Sequence, residues 1–485
     1  MEERKRCNIR KNVKGITLIA LVVTIIVLLI LATVAISLSV GSNGIFTRAK
    51  DAVDKYEDAS IEELMEMYKT EVLLGNEKTI KERLIEDKKV TEADLDDNKG
   101  LLNLTNKVLV VWNFNGLKEI SKEVENGETF EGKKIYLINN IDCGAEFNIE
   151  SGELTAGENF APIGSSNSKL EDEGLEGSIK KEFKGTFEGC SYEISKIYIK
   201  KNNQTDYCTA LFGYIGENGI IRDLKIKDSY IHGYFETAAI AGRNRGIITN
   251  CINESTVVGD YYLTAGIVGR NINTIENCQN YGDIIGGQAQ TAGIAANCDY
   301  GTNIIINNCQ NYGNINSSAE ATGGIVGGLY THDDINTAKV TNCLNEGNIG
   351  NLENENLKSI GGIIGSTNGY NGNIKISNCN NKGKVNGYNN VGGIVGYNVN
   401  STIENCWNNG EINGVYSQIG GIVGLAFTDS TIYRCYNLGK IFLKEDSHFG
   451  AGGIVGNLYS KGGLSKVKEC YNVGEVYSLA NINGG

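Results

Sequence analysis

The sequence predicts a mainly β protein: a repetitive β-solenoid head carried by an N-terminal transmembrane helix and a short helical stalk. Three observations lead there. The phrase Gly-Gly-Ile-Val-Gly stands at Gly323–Gly327, Gly392–Gly396, Gly420–Gly424 and Gly452–Gly456, with variants at Gly361–Gly365, Ala265–Gly269, Ala292–Ala296 and Ala238–Gly242. Each is followed by a phrase built on Cys, at Cys251, Cys278, Cys309, Cys343, Cys379, Cys406, Cys435 and Cys470, spaced 27 to 36 residues apart. Ahead of both lies Ile16–Val40, 25 residues without a charge. A unit of fixed order at such a period is the mark of stacked repeats that grow along one axis.

Composition narrows the class. The 485 residues include 62 Gly and a single Pro, Pro162, which suits stacked strands with tight turns and no ladder-breaking proline. The formal net charge is −13, although six basic residues (Arg4, Lys5, Arg6, Arg10, Lys11 and Lys14) crowd the first fourteen positions. An acidic body repels phosphate backbones, so nucleic acid is not an expected partner.

Taken in order, the chain divides at 1–15, 16–40, 41–100, 101–201 and 202–485. The basic cluster before Ile16–Val40 places the amino terminus in the cytoplasm, makes the run a single-pass anchor, and puts the bulk of the chain outside the cell membrane. Gly41 and Gly44 loosen the helix, and Thr47 caps a new one to about Leu74, with Val53, Tyr56, Ile61, Leu64, Tyr68 and Val72 at helical spacing. Ile80, Leu84 and Ile85 suggest a further short helix. These helices are expected to fold against the head.

Within 101–201, Leu117–Val124 reads as a short helix ending at Asn126-Gly127, and Lys134–Ile138 as a strand. The regular part opens at Leu211-Phe212-Gly213. Seven of the eight Cys phrases read Cys-x-Asn-x-Gly, and only Cys251 departs, with Ser255 in the Gly position. Gly282, Gly313 and their equivalents are expected to supply positive φ at a corner, and the Asn column to hydrogen-bond along the stack. Ile284, Ile315, Ile349, Val385, Ile412, Ile441 and Val476 begin the next strand. In the Gly-Gly-Ile-Val-Gly strand, Ile and Val are expected to face opposite sides. Side chains in one column point the same way, so the cysteines read as a reduced, buried column, with disulfides the alternative.

Two resemblances follow from these residues. Lys14-Gly15-Ile16-Thr17-Leu18-Ile19-Ala20 resembles the type IV prepilin signal. The resemblance implies cleavage between Gly15 and Ile16 by a prepilin peptidase, methylation of the new terminus, and other pilins as partners. Ala20 departs from the Glu that the family usually carries, which fits a minor pilin, a pseudopilin or a monomeric anchor better than a major filament subunit. The second resemblance covers Leu211–Gly485: the recurring phrases resemble the GLUG repeat of bacterial surface proteins. Asn140-Ile141-Asp142, Ala161-Pro162-Ile163-Gly164 and Phe183-Lys184-Gly185-Thr186-Phe187-Glu188-Gly189 are similar to the lead-in found before such repeats, with Cys190-Ser191 where Gly or Asn-Gly is common. The resemblance implies a repetitive extracellular β-rich module and carries no catalytic set.

Catalytic chemistry is not signalled. The three histidines, His232, His332 and His448, belong to no metal or hydrolase motif. His332-Asp333-Asp334 and Glu445-Asp446-Ser447-His448 fall in polar insertions and read as solvated loops. No Cys-x-x-Cys occurs, and neither metal nor cofactor is expected. Residues before the Asn-Cys pairs form no acidic column of the kind a glycosidase would use. Tyr281, Tyr312, Trp407, Tyr436 and Tyr471 each follow a Cys within three residues and are the candidate ligand contacts, since exposed aromatics stack on sugars. The reading is a non-enzymatic surface protein for adhesion to a surface protein or glycan. Alternatives are a minor pilin or pseudopilin of a pilus or secretion system, a glycan-processing β-helix enzyme, and a structural spacer. The sequence stops at Asn483-Gly484-Gly485, where another phrase should open, so either the uncapped head continues onto a partner or the chain continues beyond residue 485, and the second is expected.

Overall fold

The computed structural model describes residues 18–40, 45–169, 177–201, 203–318, 320–370, 372–444, 450–460, 463–478. The chain falls into two compact units, Met1–Glu63 and Leu64–Gly485. In the first, α1 runs over Leu18–Val40, 23 residues with no charged side chain. Side chains of α1 are described only over Val22–Thr33, and among the described residues no helix is long and apolar enough to cross a membrane. The expected span from Ile16 therefore rests on its sequence. The basic leader, Gly15, Ile16, Gly41 and Gly44 lie outside the described residues. Helix α2 covers Ile45–Leu73, so Thr47 sits inside its first turn and is not its cap.

The second unit is a three-faced β-solenoid. Nine parallel strands, from Phe212–Ile215 to Val455–Tyr459, form face A and mark about nine turns. Among the described residues face B has thirteen strands and face C twenty-two, from two-residue rungs to the 14-residue Lys225–Ala238 and Ile252–Ala265. Each turn passes from face A to face B, rounds the Asn-Cys pair onto face C, and returns to face A through the Gly-rich phrase. The core is built of stacked apolar columns. On face B, Ile221, Ile248, Ile275, Ile306, Val340, Ile376, Ile403 and Ile432 pair in register and are all fully buried. On face C, Ile284, Ile315, Ile349, Val385, Ile412 and Ile441 do the same, as expected.

The Gly-Gly-Ile-Val-Gly phrase is a corner and not a strand. Thr322–Gly323 ends one strand, Gly324 and Ile325 bend, and Val326–Tyr330 begins the next. Because the backbone turns between them, Ile and Val do not alternate across a sheet. Ile325, Val326, Ile394, Val395, Ile422 and Val423 are all completely buried. No outward apolar stripe arises from these pairs.

A second correction concerns the Cys-x-Asn-x-Gly corner. Gly282, Gly313 and their equivalents do not carry positive φ; the residue before each Cys does. Asn250, Asn277, Asn308, Asn342, Asn378 and Asn405 have φ between 51° and 57°. Asn tolerates this left-handed region better than most side chains. Glycine is required for a different reason. A Cβ on Gly347 would lie 1.9 Å from the carbonyl oxygen of Gly313 in the preceding turn, and the same approach recurs at Gly313, Gly383, Gly410, Gly439 and Gly474.

Beside it runs the asparagine ladder. Nδ2 of Asn253, Asn280, Asn311, Asn345, Asn381, Asn408 and Asn437 each donates to Oδ1 of the next turn's asparagine at 2.7–2.8 Å. The cysteines stand as an unbridged column. Every described cysteine is a free thiol, and those of the column are buried except Cys470, which is half-buried. Burial pushes the Cys278, Cys343, Cys379 and Cys406 thiols well above their ordinary range.

Residues 101–201 add strands to faces B and C and close the N-terminal end. Phe183 and Phe187 pack on Phe212 of the first turn, each with ring centroids 5.3 Å away. Cys190 and Ser191 both have positive φ, 53° and 64°, which is the turn that Gly or Asn-Gly would make more easily. Helix α3 (Ile80–Glu86) carries a Thr79/Glu82 capping box. Helix α4 (Phe114–Glu125) is capped by Asn113 and ends at Asn126. From Leu64 onward α2 belongs to the head: Tyr68 is buried, and Lys69 Nζ meets Glu188 at 2.8 Å and Asp223 at 2.6 Å. At the other end, Val467, Tyr471, Val473, Val476 and Tyr477 are 40–69% exposed. Residues 479–485, on which the expected continuation depends, lie outside the described residues.

Gly347→Ala should destabilise the head by about 1–3 kcal/mol at least, because the oxygen it meets belongs to backbone and cannot swing aside. Gly450→Ala, with nothing within 4 Å, should be close to neutral. Thermal unfolding of the two variants checks this, and equal midpoints would refute the close-approach account.

Candidate functional site

The five predicted aromatics occupy two separate columns on face C. Tyr281 and Tyr312 stand three residues after their Cys; Trp407, Tyr436 and Tyr471 stand one residue after theirs. The structure does not bring the two groups together. Within each group the rings stack from turn to turn: Tyr281 on Tyr312 at 4.6 Å, Trp407 on Tyr436 at 5.9 Å, and Tyr436 on Tyr471 at 5.1 Å, all within 9° of parallel. A ring between two neighbours offers an edge and not a face. Sugar stacking is therefore open only to the terminal rings, among which Tyr281 and Tyr471 are 45% and 54% exposed.

A more concentrated arrangement lies over the first turns. Strands Lys225–Ala238 and Ile252–Ala265 run in parallel, but their register shifts between Gly233 and Phe235. The slip throws out two aromatic doublets, Tyr234-Phe235 and Tyr261-Tyr262. Phe235 stacks on Tyr207 at 4.6 Å and 5°, and Tyr261 meets Tyr262 edge-on at 4.4 Å. Tyr207, Phe235, Tyr261 and Tyr262, with Lys169 and Leu263, wall a cleft of about 290 Å³ that has Glu236 and Arg270 in its lining.

The floor is a buried charge cluster. Glu236 is 2% exposed and accepts from Arg243 at 2.7–2.9 Å, from Arg270 Nε at 2.8 Å and from the Cys208 thiol at 3.1 Å. Arg243, fully buried, also donates to the Ser168 carbonyl at 3.2 Å and lies over the Tyr214 ring. Arg270 Nη1 reaches both oxygens of Asp299 at 2.8 and 3.1 Å. Burial alone would raise the Glu236 carboxyl, but Arg243 and Arg270 outweigh it and hold the group below its ordinary range. Asp299 shares only Arg270, and there burial wins, so its carboxyl is raised. Two carboxyls joined by one guanidinium are thus pushed in opposite directions, a pattern common at functional sites.

From this floor polar contacts continue along the outside of face A. Asn297 Nδ2 donates to Gln290 at 2.7 Å, Gln290 to the Tyr330 hydroxyl at 3.0 Å, and Tyr330 and Ser366 share a hydrogen bond of 2.9 Å. Among the described residues no group of three or more His, Cys, Asp or Glu could hold a metal ion. His232 Nε2 lies 2.8 Å from Asp260 Oδ1, His332 stacks between Tyr300 and Tyr370, and His448 lies outside the described residues.

None of the cleft residues was among the sequence-predicted contacts. Two signals were available: the aromatic doublets sit at the same distance before Ala238 and Ala265, and Arg243 and Arg270 each follow the last Gly of a phrase.

One comparison with known protein families bears on the repeat. Residues 387–413 match the GLUG motif. That stretch runs from Gly387 through the Gly392–Gly396 corner and Cys406 to Asn413, one turn of the solenoid, so the GLUG motif is here a structural rung. The remaining Gly-rich phrases repeat the same turn. No curated protein matches the chain. A solved structure, titled as a putative immunoglobulin A1 protease from Bacteroides ovatus, aligns at 16% identity over 77% of this chain and 87% of that one, with a TM-score of 0.37.

Glu236→Gln should lower stability at neutral pH by about 3–5 kcal/mol, since it leaves two buried guanidinium groups undercompensated. The Glu236 carboxyl is depressed on folding, so its contribution is full above its unfolded value of 4.5 and is lost as pH falls through the lower folded value. The gap between wild type and Glu236→Gln in thermal unfolding should therefore close on acidification below pH 4.5. A gap independent of pH would contradict the assignment. Asp299, raised above its unfolded 3.8, works the other way: its ionisation opposes folding as pH rises through the folded value.

Proposed function

We propose that this is a bacterial cell-surface β-solenoid, anchored in the membrane by α1 with its amino terminus in the cytoplasm, that mediates adhesion without catalysis. The observation that carries the reading is the aromatic cleft over Glu236 and Arg270, a concave site walled by Tyr207, Phe235, Tyr261 and Tyr262, of which Tyr262 is 41% exposed. Exposed aromatic and Arg groups at a concave site are the residues that contribute most to binding. The uncharged run of α1 and the basic residues before it support the anchor. The partner is a surface protein or glycan that presents an apolar face to the rings.

Cells displaying the full chain should bind a glycan array or a panel of immobilised surface proteins. The Phe235→Ala/Tyr262→Ala double variant should weaken that binding by about tenfold or more, a loss of about 1.4 kcal/mol. Trp407→Ala tests the stacked column in parallel. Equal binding by the double variant would rule the cleft out, and soluble products released from the bound ligand would overturn the non-catalytic reading.

The prepilin-like reading of Lys14–Ala20 makes a separate claim. Co-expression with a prepilin peptidase should give a mature protein whose terminal mass corresponds to a methylated Ile16. An intact leader would leave α1 as a plain anchor and remove other pilins from the partners.

A further inference from the structure

The turns also differ in length at the corner where face A passes into face B. Between paired strands that keep register, the connecting residues vary from one to six, from Asn400 alone to Thr331–Asn336. Because the flanking strands stack in register, these connections lie in one line parallel to the solenoid axis. Eight consecutive turns contribute, from Glu217 to Asp429, which at ~4.8 Å per turn makes a strip about 34 Å long.

Two polar hollows open in this strip. The first, about 520 Å³, lies among Glu217, Arg245, Asn273, Tyr300, Thr302 and Asn303. The second, about 260 Å³, lies among Asp334, Asn373, Asn400, Ser401, Thr402 and Asp429. An aromatic step joins them: Tyr300 stacks on His332 at 4.7 Å and His332 on Tyr370 at 6.0 Å, both within 19° of parallel. Tyr300 and Tyr370 are 50% and 62% exposed. Tyr300 also lines the first hollow, so it belongs to both parts.

We propose that this corner is a binding groove for a linear, uncharged glycan lying along the solenoid axis. Each feature of the lining bears on that choice. Amides and hydroxyls dominate it, and these exchange hydrogen bonds with sugar hydroxyls as both donors and acceptors. The exposed tyrosines offer flat apolar surface with a polar tip, suited to the faces of pyranose rings. The repeat of one turn is close to the length of one pyranose unit, so a chain lying along the axis would place about one sugar over each turn. Charge disfavours anionic polymers, because Glu217, Asp334 and Asp429 line the hollows against a single Arg245 and the chain carries a net −13. A peptide would require a free strand edge or apolar pockets for alternate side chains, and this corner supplies neither in its two hollows. The groove does not rest on the cleft over Glu236 or on the membrane anchor.

The test is titration of the full chain, in detergent, with cellohexaose and chitohexaose, against cellobiose, chitobiose, hexagalacturonate and decaproline. At least one neutral hexamer should bind, about tenfold or more tighter than its disaccharide, and hexagalacturonate should bind more weakly. Tyr300→Ala and Tyr370→Ala, both exposed positions, should each weaken the hexamer about tenfold, with unchanged thermal unfolding. Asn400→Ala should weaken it less, and Gly450→Ala, with nothing within 4 Å and outside both sites, should have no effect. The proposal is overturned if neither hexamer binds, if dimer and hexamer bind alike, if the tyrosine variants bind as wild type, or if hexagalacturonate or decaproline binds more tightly.

Discussion

In every turn from Asn280 onward, the ladder asparagine and the second residue of the Gly-rich phrase compete for one space. A Cβ on Gly324 would stand 2.4 Å from Asn345 Cγ and 2.2 Å from the carbonyl of Gly362. The same conflict arises between Gly362 and Asn381, Gly393 and Asn408, and Gly421 and Asn437. Asn345 meanwhile donates to Asn381 Oδ1 at 2.8 Å and to the Gly347 carbonyl at 2.9 Å. Glycine in the phrase thus lets a buried amide come close enough to satisfy itself along the stack. A buried amide without partners costs more than its hydrogen bonds return, so the arrangement holds only when the glycines are present. Two phrases separated in sequence, as Gly393 is from Asn408, are in this sense one device, and the inward placement of Ile and Val at the same corner follows from the bend it requires.

That coupling explains what could be read from the sequence. The columns of Cys, Asn and apolar residues were legible because a parallel stack turns sequence periodicity directly into spatial register. The two misreadings have one cause. Glycine was credited with conformational freedom, at Gly282 and Gly313, where its use is the absence of a Cβ. The left-handed residue is instead the Asn before Cys, whose φ of 54° at Asn277 a one-dimensional pattern does not reveal. Likewise Ile325 and Val326 look like neighbours in a strand until the close packing of Gly324 on Asn345 places a corner between them. The cleft was hidden for a different reason. Its walls come from Lys169, Tyr207, Phe235 and Tyr262, on four separate segments, and only the repeated doublets carried a trace of it.

Glu236, Arg243, Arg270 and Asp299 form one buried charge cluster, and Lys69 with Glu188 and Asp223 another, in a head built mostly of apolar columns and paired amides. Such clusters add little stability over apolar residues of equal volume, because desolvation offsets the attraction. They are sensitive to geometry, however, since a carboxylate that serves two guanidinium groups must keep both within hydrogen-bond reach. Glu236 does so from a position with φ of 50°, at the register slip that also projects Phe235. The charge cluster and the aromatic walls are therefore set by the same irregularity. Shifting that strand by one residue would break the ion pairs and bury the rings together.

Inside the solenoid, each turn must match the next, since a column tolerates no residue that its neighbours cannot stack on. Outside, the constraint is relaxed only where a connection can lengthen without disturbing the strands on either side. Two concave surfaces with mixed aromatic and polar lining lie where the pattern breaks: the slip before the phrase corner, and the variable corner between faces A and B. The stacked columns of Tyr281–Tyr312 and Trp407–Tyr436–Tyr471 lie on regular rungs and spend their ring faces on each other. Regularity that stabilises a rung thus takes up ring faces that would otherwise be free, and the two proposed binding surfaces fall on turns that break the pattern.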